Sequence, residues 1–154
     1  MVTAVRGQGA GGGRAAGFAL RALAVCIGVF FIALASAKIG WLTNGGPLLE
    51  QFQRALPAAR PEVRWYLETI AIPGAPLFAR LVPLAELAAG IAFVIGFWPR
   101  FAAGFALFMV LNIHFATSAW WSWAFLREGY GLPVIGALLA LAIAGARMPW
   151  TIRS

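Results

Sequence analysis

Apolar residues fall along the chain in four long runs parted by short polar pieces. The first goes from Phe18 to Ile39 with only Arg21 near its start, the second from Leu77 to Trp98, the third from Phe101 to Trp121, and the fourth from Tyr130 to Met148. A helix rises ~1.5 Å per residue, so ~20 residues cross a ~30 Å hydrocarbon core. The runs predict four membrane-crossing helices. Trp98-Pro99-Arg100 joins the second and third in so few residues that they must form an antiparallel hairpin, and Ser122 to Gly129 joins the third and fourth. No β-strand is expected, because unpaired backbone is intolerable in lipid. The fold class is therefore all-α: an integral membrane four-helix up-down bundle.

The longest connection, Thr43 to Pro76, is too polar to cross. Pro47 suits the first turn of a helix, and Leu48, Leu49, Phe52 and Leu56 then share one face. Pro61 opens a second piece, with Val63, Tyr66, Leu67 and Ile70 on a common face. These predict short interfacial helices between the first two spans. Residues 1–17 are Gly-rich and carry Arg6 and Arg14, which reads as a flexible basic tail. Residues 18–148 form the membrane domain, and 149–154 a short tail. Ala35-Ser36-Ala37 after an apolar run imitates a cleaved leader, but apolar character continues through Ile39, Trp41 and Leu42, so the first span is expected to stay.

Composition narrows the class. The chain of 154 residues is 62% hydrophobic and 11% charged, with mean hydropathy +0.83. Soluble domains carry about 25% charged residues, so a disordered chain, a coiled coil and an ordinary cytosolic enzyme are all excluded. The formal charge of +7 comes from Arg scattered singly between apolar runs, which suits anionic headgroups better than nucleic acid. The expected surroundings are a lipid bilayer. Each end of the bundle collects six basic residues, so that count alone ties. The basic amino terminus and the basic turn at Arg100 favour both termini in the cytoplasm. Trp41, Trp120, Trp121, Trp123 and Tyr130 form one interfacial belt, Trp98 and Trp150 the other. The single cysteine, Cys26, reads as a small buried apolar side chain.

Chemistry must come from polar groups inside the spans. Glu86 lies nine residues into the second run, hence ~13 Å deep. Asn112 and His114 lie nine and seven residues before Trp121, ~10–13 Å below the same boundary. A carboxylate at that depth has to pair or face the bundle interior. The expectation is that Glu86 and His114 meet across the second and third spans, with Asn112 nearby and Lys38 or Arg80 reaching in from above. Asn112 and His114 stand ~200° apart around their helix, which favours His114 as the partner. The plainer reading is that these groups hold helices together. One His, one Cys and no Asp cannot build a zinc or iron site within the chain. Electron chemistry would need a bound cofactor or another subunit.

Three pieces carry a family likeness: Lys38 after a small-residue first span, the string from Phe78-Ala79-Arg80 through Glu86 to Gly90, and the string from Ile95-Gly96-Phe97-Trp98-Pro99-Arg100 to Ala103. Together they resemble the DoxX family, small bacterial and archaeal four-helix membrane proteins. The likeness covers Phe18 to Arg147 and is strongest from Phe78 to Ala103. It departs at Trp98-Pro99, where family members more often carry a small residue or Thr before the Arg. Relatives include the DoxD-type membrane subunit of thiosulfate:quinone oxidoreductase. The resemblance implies quinone-linked redox work with a partner subunit. On that reading Glu86 and His114 would be the catalytic groups, and Lys38, Arg80, Asn112 and Trp121 would bind the quinone. The alternative is a non-catalytic scaffold, or a small transporter that assembles as a homo-oligomer.

Overall fold

The computed structural model describes residues 8–127 and 130–152. Its principal helices are α1 (Gln8–Ala37), α2 (Gly46–Ala55), α3 (Pro61–Tyr66), α4 (Ala75–Ile95), α5 (Pro99–Ala116), α6 (Ala124–Arg127) and α7 (Leu132–Ala144). No β-strand occurs among the described residues. Three stretches are long and apolar enough to cross a membrane: Gly12–Ala37, Ala75–Ile95 and Pro99–Ala116. The fourth apolar run departs from expectation. It gives the 13-residue α7 and a single 3-10 turn, Gly145–Arg147. At ~1.5 Å and ~2.0 Å per residue those reach ~25 Å, short of a full core. The glycines Gly131 and Gly145 bound the α-helical part on either side. Helix α1 also begins before the apolar run, at Gln8. Extending a formed helix backward costs far less than nucleating one, so Ala15 and Ala16 carry it on.

Neighbouring helices alternate in direction. The most extensive packing is α1 against α4, followed by α5 against α7. Gly28 and Gly90 meet at the α1–α4 crossing. A Cβ on either would lie 2.8 Å from the carbonyl oxygen of the other, so only glycine admits this approach. That is the small-residue packing that membrane helices use. Ala24, Ile27 and Phe31 of α1 join Phe93, Val110, Leu138 and Leu141 in the main core. Cys26 instead lies exposed on α1, contrary to expectation, because the buried stripe of that helix runs through Ala24, Gly28 and Phe31.

One end of the bundle is closed by arginines. Arg21 donates to the carbonyls of Phe93 (2.9 Å) and Val94 (2.6 Å), which the end of α4 leaves unpaired. Arg100 likewise donates to Ala142 O at 3.1 Å, at the end of α7. Gly96 (φ 75°) and Trp98 (φ 41°) both adopt left-handed backbone, and this lets the chain reverse between α4 and α5. Ile152 N–H bonds Gly96 O at 3.0 Å, and the Trp150 ring meets Phe18 at 5.5 Å. The start of α1 and the carboxyl-terminal segment therefore share this end.

The opposite end is capped by the long connection. Pro47 and Pro61 sit in the first turns of α2 and α3, as expected. Leu48, Phe52, Val63, Leu67 and Ala71 form a second core with Ala75, Ala79 and Ala116. Ile70 does not join them. A π turn, Leu67–Ala71, bonds Ile72 N–H to Leu67 O, adds a residue to the turn and rotates Ala71 inward in place of Ile70.

Candidate functional site

Helix α1 ends at Ala37, and the next residue, Lys38, extends its side chain toward α4. Its ammonium donates to Glu86 Oε1 as an ion pair. Glu86 is fully buried on α4, while the Lys38 side chain keeps 20% of its surface exposed. Tyr130 O–H donates to the same carboxylate oxygen at 3.2 Å. The Lys38 nitrogen also stands 5.8 Å from the ring centres of Trp41 and Tyr130, within the range of cation–π attraction. A carboxylate deep among helices is thus compensated by a cation, a phenol and two aromatic faces. Its other oxygen, Oε2, has no protein partner among the described residues.

His114 is buried on α5, its ring edge-on to Trp120 and Phe125 and tilted against Tyr130. Its Nε2 lies 2.9 Å from the carbonyl oxygen of Tyr130. A carbonyl only accepts, so Nε2 carries a proton and donates it there. His114 and Glu86 are linked through Tyr130, whose backbone takes one and whose hydroxyl takes the other. Asn112 accepts from Tyr66 O–H at 3.0 Å through Oδ1, which leaves its amide N–H groups as donors. Arg80 is exposed on α4 and stays away from this cluster. Trp121 lies in the 3-10 turn Ala119–Trp121, and its side chain is outside the described residues.

Lys38, Asn112, His114 and Tyr130 border a cavity of about 930 Å³, and Glu86 stands behind Lys38, off its lining. Lys38, Tyr66, Asn112, His114 and Tyr130 are among its polar lining residues, and Leu81, Val82, Ala85, Phe105, Phe108 and Met109 are among its apolar ones. Ser118, at φ 56°, also borders it, and its Oγ is buried without a partner among the described residues. The volume falls in the ~300–1,000 Å³ range of small-molecule sites, and so does the pattern of an apolar wall with few convergent polar groups. Sequence reasoning missed two participants. The aromatic pattern places Tyr130 in an interfacial belt, although its position between Gly129 and Gly131 marks it as a side chain the backbone could turn inward. Helical spacing marks Tyr66 only as part of an apolar face.

A family model described as DoxX matches residues 19–119. The chain belongs to the DoxX family. No curated protein and no solved structure matches it. This DoxX protein is a membrane protein by family and by its three apolar helices. The matched region holds Lys38, Tyr66, Glu86, Asn112 and His114, and it ends before Tyr130. The residue that ties Glu86 to His114 in this DoxX protein thus lies in the segment beyond the match.

Proposed function

We propose that this DoxX protein is the membrane subunit of a quinone-linked redox complex, holding the quinone headgroup at the polar end of the cavity. The observation that carries the reading is the pair of donors on the lining: the Lys38 ammonium and the amide N–H groups of Asn112, beside the apolar wall that α4 and α5 supply. A quinone headgroup is a flat apolar ring with two carbonyl acceptors, and that chemistry suits this lining. When bound, a quinone accepts two electrons and two protons. The chain's own task is to orient the carbonyls and to hold protons beside them. Lys38 holds one at Nζ, where it pairs with Glu86. Behind it, Glu86 Oε2 has no partner among the described residues, and His114 borders the cavity with its Nε2 against the Tyr130 carbonyl. Electrons would arrive from a partner subunit.

In the same reading the protein crosses the cell membrane four times, α7 being the short fourth crossing, with both termini in the cytoplasm. The alternation of α1, α4, α5 and α7 supports this, as does the shared end of the two termini. A scaffold without catalysis is the second reading. It draws on the Gly28–Gly90 approach and on the Lys38–Glu86 pair, which together fasten α1 to α4.

Binding separates the two. Protein in lipid nanodiscs is titrated with a decyl-tailed benzoquinone while its tryptophan emission is followed. Saturable quenching is expected in the wild type, weakened in Asn112→Leu and in Lys38→Met. Absence of saturable quenching in the folded wild type would reject the quinone reading and leave the scaffold.

A further inference from the structure

We infer that the ligand enters this cavity sideways from the bilayer, through the cleft between α4 and α5, and leaves its apolar tail there. The inference rests on the quinone reading and adds the route and the tail site. Three lining residues carry it: Leu81 on α4 is 48% exposed, and Phe105 and Phe108 on α5 are 57% and 67% exposed. The same side chains form the cavity wall and the outer surface of membrane-capable helices, so the wall between ligand and acyl chains is open at this point. Phe105, Phe108 and Asn112 follow one another at helical spacing, which makes a single stripe from lipid to polar end. Seven residues separate Phe105 from Asn112, ~10 Å along the helix axis. A tail leaving a headgroup near Asn112 thus runs toward the bilayer midplane.

Polarity is divided accordingly. Toward α2 and α3 the cavity is bordered by Gln51 and Arg60, both exposed, so that side suits water and protons. On the α4–α5 side the lining is Leu81, Val82, Ala85, Phe105, Phe108 and Met109, which offers a tail nothing but apolar contact. The two helices also pack against each other less extensively than α1 packs against α4, although a tight turn joins them. The ligand class is therefore a lipid-dissolved molecule with a carbonyl-bearing head and a tail of at least several carbons.

The test uses the full chain in nanodiscs and a benzoquinone whose decyl tail ends in a diazirine. After irradiation, labelled peptides are identified by mass spectrometry, with and without excess untailed benzoquinone. The expected result is label on Leu81, Phe105 or Phe108 that the competitor removes, and about tenfold weaker binding of the tailed probe in Phe108→Ala. Label on Gln51 or Arg60 instead would place entry at the headgroup side and overturn the inference. Saturable headgroup binding with label spread evenly over lipid-facing Val29 and Ile143 would overturn the tail site and spare the headgroup site. No saturable binding of either probe would overturn both.

Discussion

Glu86 receives the ammonium of Lys38 from 48 residues earlier in the chain, and the pair joins the end of α1 to the middle of α4. The two ends of this interaction are not equivalent, because the carboxylate is fully buried and the ammonium is partly exposed. Lys38→Met is therefore expected to cost about 3–5 kcal/mol, since it leaves a buried charge uncompensated. The double variant Lys38→Met/Glu86→Gln should recover much of that loss. Thermal unfolding in detergent reads the difference, and a double variant no more stable than Lys38→Met would contradict it.

The Gly28–Gly90 crossing predicts a sharp contrast among glycines. Gly28→Ala or Gly90→Ala places a methyl 2.8 Å from a backbone oxygen, so α1 and α4 must separate and the main core loosens. Gly104→Ala meets nothing within 4 Å and should be neutral or slightly stabilising, since alanine is the better helix former by about 1 kcal/mol. Melting temperatures of the three variants provide the comparison. Equal effects at all three positions would refute it.

Arg21 is expected to be a structural residue of the bundle's closed end. Its guanidinium meets two carbonyls at once, in a place where the end of the α4 dipole also favours positive charge. Arg21→Gln should lose about 1.5–3 kcal/mol and raise amide exchange near Gly96. Arg21→Lys, which offers a compact ammonium in place of a fork, should fall between. Unchanged exchange at the end of α4 in both variants would show that the contact contributes nothing.

Sidedness follows from the shared end of the termini. In a Cys26→Ala background, single cysteines at Trp98 and at Trp150 should react with an impermeant maleimide from one face of sealed vesicles, and one at Gln53 from the other. If Trp98 and Trp150 label from opposite faces, α7 does not cross.

Much of the fold was legible because membrane helices must be long, apolar and internally hydrogen-bonded. Those demands mark α1, α4 and α5 in any window of the sequence. Prolines at the starts of α2 and α3 marked the connection as well. The length of α7 was less legible. The run from Tyr130 carries no charge before Arg147, whereas helix formation depends on backbone geometry that Gly131 does not adopt. The π turn at Leu67–Ala71 was equally hidden, since phase along a helix is assumed and a single inserted residue resets it.

The sequence by itself determined that Glu86, Asn112 and His114 lie at similar depth, because depth is a count of residues multiplied by a fixed rise. It determined the family likeness and the need to compensate Glu86. Only the tertiary structure decided which partner does so. Lys38 and Arg80 both stand near the ends of their spans, but a long side chain reaches whatever the backbone directs it toward, and that direction depends on how α1 crosses α4 at Gly28 and Gly90. Arg80, on the same helix as Glu86, is held on the outer face. Tyr130 joined the cluster for the same kind of reason: its place is set by where α7 returns against α5 and α1, a relation between distant segments that no local pattern of residues encodes.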